Sequence, residues 1–217
     1  MSIKLADYNA VCVNISSGKD SQQTLQNICE QAYREGVLHR VSAVYADTGA
    51  ELTGSMPHCR YLTNYYQVPF QAVYPNHPLP EKIRLRGRWP SAKCRYCTSD
   101  CKVAPIAKYI RNKYIFKEEC RILMVSGERR EESPHRKTLP EFEVDTNLTA
   151  GYRKVFRYRP ILDMTKKEVW SSTLRNCAGI RLIPKEMTGY HAPSAFSPTP
   201  PISGTAQKTV PTWQKNF

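Results

Sequence analysis

The sequence has no long apolar run. Among its 217 residues, no stretch approaches the roughly 18 apolar residues that a membrane-spanning helix needs. The first residues, Met1 to Asp7, also lack the apolar core of a secretory signal peptide. Without such a signal, we expect the eight cysteines to be reduced thiols or metal ligands rather than disulfides. We therefore expect an intracellular protein outside the membrane. The sequence also contains no internal repeat.

Acidic residues are few relative to basic ones. Asp and Glu total 19 against 32 Lys and Arg, so the formal net charge is +13. Residues 82–137 hold 16 of the basic residues and six of the acidic residues, so this window contributes +10. Such a positive field predicts an anionic partner, which can be a nucleotide, another polyphosphate or a nucleic acid. Hydrophobic residues make up 41%, which excludes a wholly disordered chain.

Short apolar runs alternate with amphipathic stretches along the chain. Strands are predicted at residues 10–15, 41–46, 70–74 and 121–125. Helices are predicted up to Gly36 and at residues 55–66, 101–114 and 165–175. This order predicts an α/β fold with a doubly wound, mostly parallel sheet and helices on both faces. Ligands of such sheets bind at the carboxyl ends of the strands.

A Pro-broken stretch from residue 75 to residue 90 interrupts this pattern and predicts a loop. The loop is basic at Arg84, Arg86 and Arg88. It is either a lid that reaches nucleotide phosphates or a track for a nucleic-acid backbone, with Trp89 as a stacking surface. A solvated charged face is the third interpretation.

The end of the domain is predicted near residue 180. Thr165 is expected to cap the last helix, with Glu168 three residues later, and Trp170 is expected to pack in the core. From residue 193 onward the sequence is rich in Pro, Ser and Thr, with little periodic apolar pattern. We therefore expect one domain over residues 1–180 and an irregular, poorly ordered tail over residues 181–217. A frameshifted terminus is a second interpretation of the tail.

A loop of small and polar residues joins the first predicted strand to its helix. It reads Ser16, Ser17, Gly18, Lys19, Asp20 and Ser21. Backbone N–H groups and the positive end of the helix dipole meet in such a loop and can cradle phosphate. Lys19 adds a positive charge, while Asp20 can cap N–H groups or help to hold a metal. For the hexapeptide alone, an ordinary strand-to-helix turn is the alternative.

Five segments, taken in order, resemble the phosphoadenosine phosphosulfate (PAPS) reductase family. That family belongs to the adenine nucleotide alpha-hydrolase superfamily, which includes the PP-loop ATP pyrophosphatases. The segments are residues 16–21, residues 47–49 (Asp-Thr-Gly), residues 95–105, residues 127–136 and residues 159–170. The third, with Arg-Tyr-Cys-Thr-Ser-Asp, is similar to phage and bacterial relatives that install sulfur in DNA. The resemblance implies the cytoplasm of a bacterium or of a phage-infected host cell.

The resemblance also implies a set of functional residues. Ser16, Ser17, Gly18, Lys19, Asp20 and Ser21 would hold the nucleotide phosphates, Asp47, Thr48 and Gly49 would contact the adenosine, and Gly127 would belong to the same nucleotide site. Lys19, Asp20, Lys102, Arg129 and Arg136 would be the catalytic residues, with the cations neutralising charge as pyrophosphate or sulfite leaves. The bound nucleotide would be ATP, with Mg²⁺, or PAPS.

The cysteines form a second candidate site. Cys94, Cys97 and Cys101 fall within eight residues, and the C-x2-C spacing suits a zinc ion or an iron-sulfur cluster. Cys120, Cys59 and His58 are candidates for the fourth ligand. The neighbouring Lys93, Arg95 and Lys102 are expected to lower the thiol pKa values and favour thiolates. Three ordinary thiols beside a basic loop are the alternative.

Three functions remain open at this point. The first is an ATP pyrophosphatase that activates an acceptor, such as DNA or RNA during sulfur transfer. The second is a PAPS or adenylylsulfate reductase. Reductases of the family carry a reducing cysteine in a C-terminal Glu-Cys-Gly-x-His-type motif, which has no counterpart here, so the first function is favoured. The third is a nucleic-acid-binding accessory protein without catalysis, which the positive middle third of the chain supports.

Overall fold

A six-stranded sheet organises the part of the chain that the computed structural model describes, residues 3–115 and 117–178. The strands are β1 (Ala10–Ile15), β2 (Val41–Ala46), β3 (Phe70–Val73), β4 (Cys120–Val125), β5 (Phe142–Val144) and β6 (Arg153–Tyr158). The helices are α1 (Lys19–Arg34), α2 (Ser55–Tyr65), α3 (Leu79–Arg86), α4 (Tyr96–Thr98), α5 (Ala104–Lys113), α6 (Pro134–Lys137) and α7 (Lys166–Ala178). A π-helical turn, Ser99–Val103, joins α4 to α5.

The strand order is β3-β2-β1-β4-β6-β5. All neighbouring strands are parallel except β5, which runs antiparallel to β6 at one edge. The chain moves outward from β1 through β2 to β3 and then crosses to β4 on the other side of β1. This reversal creates a switch point between β1 and β4, where open α/β sheets bind their ligands. The predicted doubly wound, mostly parallel fold is confirmed.

Both faces of the sheet are buried. On one face, Ile110 of α5 and the nearby Tyr114 lie in a cluster with Cys12, Ile122 and Val155 of the strands. Alternate strand residues point to the other face, and they are also fully buried: Val11, Val13, Leu123 and Val125. Helix α1 contacts β1, β2 and α7, and it contributes a fully buried apolar stripe of Leu25, Ile28 and Ala32. None of the helices that the structure describes is long and apolar enough to cross a bilayer.

Helix α3 occupies part of the stretch for which the sequence predicted a loop. Pro78 precedes the helix, and Pro80 lies in its first turn, where a missing N–H group costs nothing. Glu81 in the first turn complements the helix dipole, and Gly87, at a φ of +62°, ends the helix in the left-handed conformation. The prolines that indicated a loop therefore mark the start of a helix.

The predictions around α7 have mixed outcomes. The capping box is confirmed, because Glu168 Oε2 accepts from Thr165 N at 2.6 Å and Thr165 Oγ1 accepts from Glu168 N at 3.2 Å. Trp170 was wrongly predicted to pack in the core, since it is 46% exposed. The adjacent Val169 takes the fully buried position, and successive helical residues point about 100° apart. The predicted tail, residues 181–217, lies outside the described residues.

Candidate functional site

A cleft of about 740 Å³ opens at the carboxyl ends of β1, β2 and β4, at the switch point. Its volume is in the range of small-ligand pockets. At one end, the lining comes from the loops after β1 and β4 and from the π-helical turn. Apolar side chains of Val44, Ile106 and Met124 also line the cleft, as do Arg111 and Arg157. The cleft therefore offers both apolar walls and cationic groups to a ligand.

The loop at residues 16–21, which we call the phosphate loop, is braced by Ser21. Ser21 Oγ lies 2.7 Å from the Ser16 carbonyl oxygen and 2.8 Å from the Gly18 carbonyl oxygen, and it accepts from Ser16 N at 3.0 Å. Ser17 Oγ lies 3.0 Å from Ser55 Oγ at the start of α2. Because Gly18 is the N-cap residue of α1, no side chain at that position covers the first-turn N–H groups. Ser16, Gly18, Asp20 and Ser21 line the cleft, so the positive end of α1 lies at its wall.

A chain of ion pairs fixes Asp20. Its Oδ2 accepts from Lys19 Nζ at 2.6 Å, and its Oδ1 accepts from Arg129 Nε at 2.6 Å. Arg129 also donates to Glu131 at 2.8 Å and is only 4% exposed. Burial lowers the pKa of Arg129, but the hydrogen bond and charge of Asp20 outweigh burial and raise it, so Arg129 stays charged. Arg129 lies outside the described lining of the cleft, which makes it a positioning residue for Asp20.

Gly127 allows the loop after β4 to approach α1 closely. A Cβ atom at this position would lie 2.8 Å from the Asp20 carbonyl oxygen and 2.8 Å from Thr24 Oγ1. Thr24 Oγ1 itself donates to the Asp20 carbonyl oxygen at 2.8 Å. Gly127 lines the cleft beside Ser126 and Glu128, so its backbone and the phosphate loop form adjoining walls.

The turn at residues 47–49 lies beside the cleft and helps to position Glu51, a lining residue. Asp47 Oδ1 accepts from Gly49 N at 2.9 Å, and Thr48, which is 3% exposed, donates to Glu51 Oε1 at 2.9 Å. Gly49 has a φ of +76°, and a Cβ there would lie 2.7 Å from Pro78 Cβ. Residues 47–49 are not among the described residues that line the cleft, but the nearby Glu51 is. Lys102 Nζ lies 3.4 Å from the Glu51 carboxylate. Contact of Asp47, Thr48 or Gly49 with adenosine stays a prediction.

Glu128 organises the cationic groups after β4. It accepts from Arg159 Nε at 2.7 Å, and Arg136 Nε lies 3.6 Å from its other oxygen. Arg136 also pairs with Glu132. Burial raises the pKa of Glu128, but the hydrogen bond and charge of Arg159 outweigh burial and hold this pKa below its usual value. Glu128 is therefore an anion that holds Arg136 at the cleft.

The four cysteines proposed as metal ligands do not come together. No group of three or more His, Cys, Asp and Glu side chains in the described part of the chain is arranged to hold a metal ion. Cys120 begins β4, five residues or roughly 17 Å from the carboxyl end that borders the cleft. Cys94 and Cys97 are partly exposed, whereas Cys101 and Cys59 are buried. The sequence spacing alone could not show that Cys120 belongs to the opposite end of the sheet.

The expectation of a thiolate at Cys101 is wrong. Burial raises the pKa of the Cys101 thiol and outweighs the opposing charge of Lys82. Lys102, which was expected to lower this pKa, instead pairs with Glu51. Arg88 Nη2 lies 3.5 Å from Cys94 Sγ. Cysteine is absent from the cleft lining within residues 3–115 and 117–178.

Several lining residues were not singled out from the sequence. They are Asn14, Glu51, Arg111, Asn147 and Arg157. Asn14 carried a detectable signal, because it is a polar residue inside the apolar run of β1. Arg157 and Asn147 carried none, since they belong to β6 and the loop before it, a region in which no strand was predicted.

A parallel sheet with a helix N-terminus at its switch point defines a class of nucleotide-binding α/β domains. Residues 10–183 match the family model described as the phosphoadenosine phosphosulfate reductase domain. Because this match covers most of the sequence, the chain belongs to the PAPS reductase family.

Curated relatives are longer than this chain. An uncharacterized 37.8 kDa protein of Escherichia phage 186 is 31% identical over 100 residues, which cover 46% of this chain and 29% of that protein. An uncharacterized protein of Methanocaldococcus jannaschii is 26% identical over 178 residues, which cover 77% of this chain and 32% of that protein. The chain thus spans about a third of the length of the relatives it matches.

Two solved structures share the fold. PAPS reductase from Candida auris, in a phosphate complex, superposes with a TM-score of 0.55 at 16% identity and covers 80% of this chain and 75% of that chain. FMN adenylyltransferase from Candida glabrata, in complex with FAD and inorganic pyrophosphate, has a TM-score of 0.51 at 12% identity. The alignment covers 76% of this chain and 48% of that chain. At such identities, the likeness concerns the fold and does not transfer an activity.

Proposed function

We propose that this chain is the nucleotide-binding domain of an enzyme that acts at the α-phosphate of ATP or of an adenylylated sulfur nucleotide. The observation that carries the proposal is the N-terminus of α1 at the wall of a cleft whose other lining residues include Lys102, Arg136 and Gly127. Backbone N–H groups and cationic side chains together suit a chain of phosphates. The cytoplasm of a bacterium or of a phage-infected cell is the setting we propose.

The cations have distinct roles in this proposal. Lys19 exchanges Asp20 for a phosphate oxygen, while Arg129 keeps Asp20 in place. With ATP, an oxygen of the acceptor or of water attacks the α-phosphorus and loses its proton to solvent. The bond to the β-phosphate oxygen breaks, pyrophosphate leaves, and the AMP group stays on the acceptor or is released as free AMP. Lys102 and Arg136 neutralise the charge that develops on the leaving group. The apolar walls at Val44 and Met124 hold the adenosine.

Mg²⁺ fits the donor set beside the phosphate loop. Magnesium in nucleotide sites uses one or two protein carboxylates together with phosphate oxygens and water. Asp20 is the residue that would hold it, through the oxygen that Lys19 vacates. The ion would neutralise phosphate charge and orient the leaving pyrophosphate. The cysteines do not fit zinc or an iron-sulfur cluster in the described residues, so we assign no step to either group.

The ATP reaction is favoured over sulfonucleotide reduction by the position of the thiols. Reduction of PAPS at this site needs a thiol that reaches the sulfate, and the described cysteines lie outside the cleft lining. The reductase remains the second candidate because the chain belongs to that family. A nucleic acid is the acceptor we propose for the ATP reaction, since the basic segment from Lys82 to Arg95 contains no acidic residue. Lys82 also pairs with Asp100, the neighbour of the cleft-lining residue Ser99.

Turnover of ATP labelled with ³²P at the α-phosphate tests this proposal. With Mg²⁺ and single-stranded DNA, we expect the label in adenylylated DNA and, where water is the acceptor, in AMP, rather than in ADP. Lys19→Ala should abolish AMP formation, because the cation beside the α-phosphate is lost. Lys154→Ala is the matched control, since Lys154 pairs with Glu119 at the opposite end of the sheet. Thermal unfolding of both variants should match the unchanged protein.

Two results would contradict the proposal. Label recovered in ADP alone would show that the attack is at the γ-phosphate. AMP formation that is retained in Lys19→Ala would show that the phosphate loop does not take part in the reaction. Conversion of PAPS to adenosine 3′,5′-bisphosphate with a thiol reductant, in place of AMP formation, would favour the reductase. DNA binding without turnover of either nucleotide would favour the accessory protein.

A further inference from the structure

Asn14 is a polar side chain between two apolar walls of the cleft. It lies in β1 and faces Val44 of β2 across the parallel register, while Cys12, two residues earlier, lies beside Met124 of β4. Alternate residues of a strand point to the same face, and residues in register on neighbouring strands share that face. Asn14, Val44 and Met124 line the cleft, so Asn14 places an amide between two apolar side chains.

Helix α5 covers this face of the sheet with further apolar side chains. Ile106 and Ala107 line the cleft, and they pack in the same cluster as Val44 and Met124. The cleft therefore has apolar walls from the sheet and from α5, which suit a flat ring such as a nucleobase. In such a pocket, a small number of placed polar groups fixes the orientation of the ligand.

The amide oxygen of Asn14 is unpaired in the described part of the protein. Its Oδ1 atom is buried and accepts no hydrogen bond there. The polar atoms of Cys12, on the same face of β1, are paired, because Sγ lies 3.5 Å from Ser42 Oγ and 3.3 Å from Tyr114 Oη. Buried acceptors are nearly always satisfied in native proteins. An unpaired acceptor in a cleft wall therefore points to a donor on a bound molecule.

The position of Asn14 restricts what this donor can be. The terminal torsion of an Asn amide is broad, so rotation about it turns Oδ1 toward the open side of the cleft at little cost. Asn14 lies two residues before Ser16, the first residue of the phosphate loop, which corresponds to roughly 7 Å along the strand. Phosphate oxygens are acceptors and cannot donate to Oδ1. The donor therefore belongs to the nucleoside part of a nucleotide whose phosphates occupy the loop.

We propose that Asn14 is a specificity-determining residue that accepts a hydrogen bond from the nucleoside part of the bound nucleotide. The inference deepens the proposed function and rests on it, because it assumes that nucleotide phosphates occupy the phosphate loop. The donor has one of two sources, the 6-amino group of adenine or a hydroxyl group of the ribose. Both present the same chemistry to Oδ1, which is one hydrogen on a nitrogen or an oxygen atom.

Calorimetric binding of ATP and of purine riboside 5′-triphosphate tests the adenine amine. The analogue carries hydrogen in place of the 6-amino group, and Mg²⁺ is left out so that neither nucleotide is turned over. The unchanged protein binds ATP about tenfold more tightly than the analogue, as one hydrogen bond provides. Asn14→Leu, a change of similar size, weakens ATP binding about tenfold and leaves that of the analogue within about twofold. Asn112→Leu, the same change at an exposed position of α5 outside the cleft lining, keeps the preference.

The 2′-deoxy and 3′-deoxy analogues of ATP test the ribose hydroxyls. If a hydroxyl is the donor, ATP and purine riboside 5′-triphosphate bind alike, and one deoxy analogue binds about tenfold more weakly than ATP. Asn14→Leu then removes that difference. The Tm of the nucleotide-free Asn14→Leu protein should be at least as high as that of the unchanged protein, because the variant no longer buries an unpaired acceptor.

The inference is overturned if the unchanged protein prefers ATP to none of the three analogues, or if Asn14→Leu keeps every preference that the unchanged protein shows. It is also overturned if Asn14→Leu weakens binding of all four nucleotides by the same factor, as loss of a purely structural residue would. An unchanged protein that binds none of the four nucleotides would contradict the proposed function itself, and the inference would fall with it.

Discussion

At the scale of single residues, the phosphate-loop end of the cleft consists of cations that already have carboxylate partners. Lys19 pairs with Asp20 at 2.6 Å, and Lys102 lies 3.4 Å from Glu51. Under the proposed function, an incoming phosphate exchanges one anion for another at each cation. The ion pairs keep the charged side chains ordered before a phosphate binds, and under the proposed function they make the carboxylates part of the binding energetics.

A substitution at Gly127 tests the close approach between α1 and the loop after β4. In Gly127→Ala, the added Cβ meets the Asp20 carbonyl oxygen at 2.8 Å, so the loop and the helix must separate. Overpacking of this kind costs about 1–3 kcal/mol, and we expect the Tm to fall by several degrees. Gly18→Ala is the control for stability, because its Cβ would meet Ser16 Oγ at an ordinary 3.5 Å. Equal Tm values for the two variants would show that the contact is not tight.

The lowered pKa of Glu128 predicts that its contribution to the free energy of unfolding is lost in acid. Burial raises its pKa, but Arg159 and then Arg136 lower it by more, so the folded-state pKa is below 4.5, the ordinary value for a glutamate side chain. The contribution is present above pH 4.5 and is lost as the pH falls through the folded-state value.

Urea unfolding of Glu128→Gln checks this prediction. The variant should lose about 1–3 kcal/mol of unfolding free energy at pH 7, because Arg159 loses a charged acceptor. The difference from the unchanged protein should shrink below pH 4.5. Glu119→Gln, at an exposed pair with Lys154, should differ little at either pH. A loss for Glu128→Gln that is the same at both pH values would contradict the assigned charge.

At the scale of elements, α3 is an unusual helix. It has eight residues, and none of them is buried. Such short helices are unstable in isolation. Lys82 and Arg86 attach it to Asp100 at 2.7 and 3.0 Å, and Arg86 stacks 4.6 Å from the Tyr96 ring. Asp100 belongs to the π-helical turn that lines the cleft, so α3 is coupled to the site.

Trp89 tests whether the surface after α3 binds nucleic acid. The side chain is 76% exposed within the basic segment, which suits stacking of an unpaired base. We expect Trp89→Ala to weaken binding of a single-stranded oligonucleotide roughly tenfold. Tyr152→Ala, an exposed aromatic change at the amino end of β6, should leave the affinity unchanged. Equal affinities for all three proteins would leave the lid or the solvated face as the interpretation of this segment.

The elements that were predicted from the sequence are those with a strong local signal. β1, β2 and β4 are apolar on both faces, as strands in the middle of a parallel sheet must be. β6, which reads Arg-Lys-Val-Phe-Arg-Tyr, has three basic residues and no regular alternation, and β5 has only three residues, so both were missed. α3 was missed because the prolines at its start also occur in loops. The position in the tertiary structure, rather than the local sequence pattern, determines the secondary structure of these segments.

At the scale of the whole molecule, the doubly wound order brings together residues that the sequence separates. Arg129 reaches Asp20 across 109 positions, and Arg159 reaches Glu128 across 31. Family resemblance located the phosphate loop and the segment at 127–136, which do meet at the switch point. It could not separate the residues that line the cleft from those that support them, such as Arg129, or place Cys120 at the far end of the sheet. Those distinctions depend on packing between distant segments.

Hydrolysis of ATP in water enriched in ¹⁸O is the most direct test of the central claim, which is attack at the α-phosphorus beside the phosphate loop. We predict that mass spectrometry of the products places the heavy oxygen in AMP, with unlabelled pyrophosphate. Label in pyrophosphate or in inorganic phosphate would show that water attacks the β- or γ-phosphorus, and it would contradict the account.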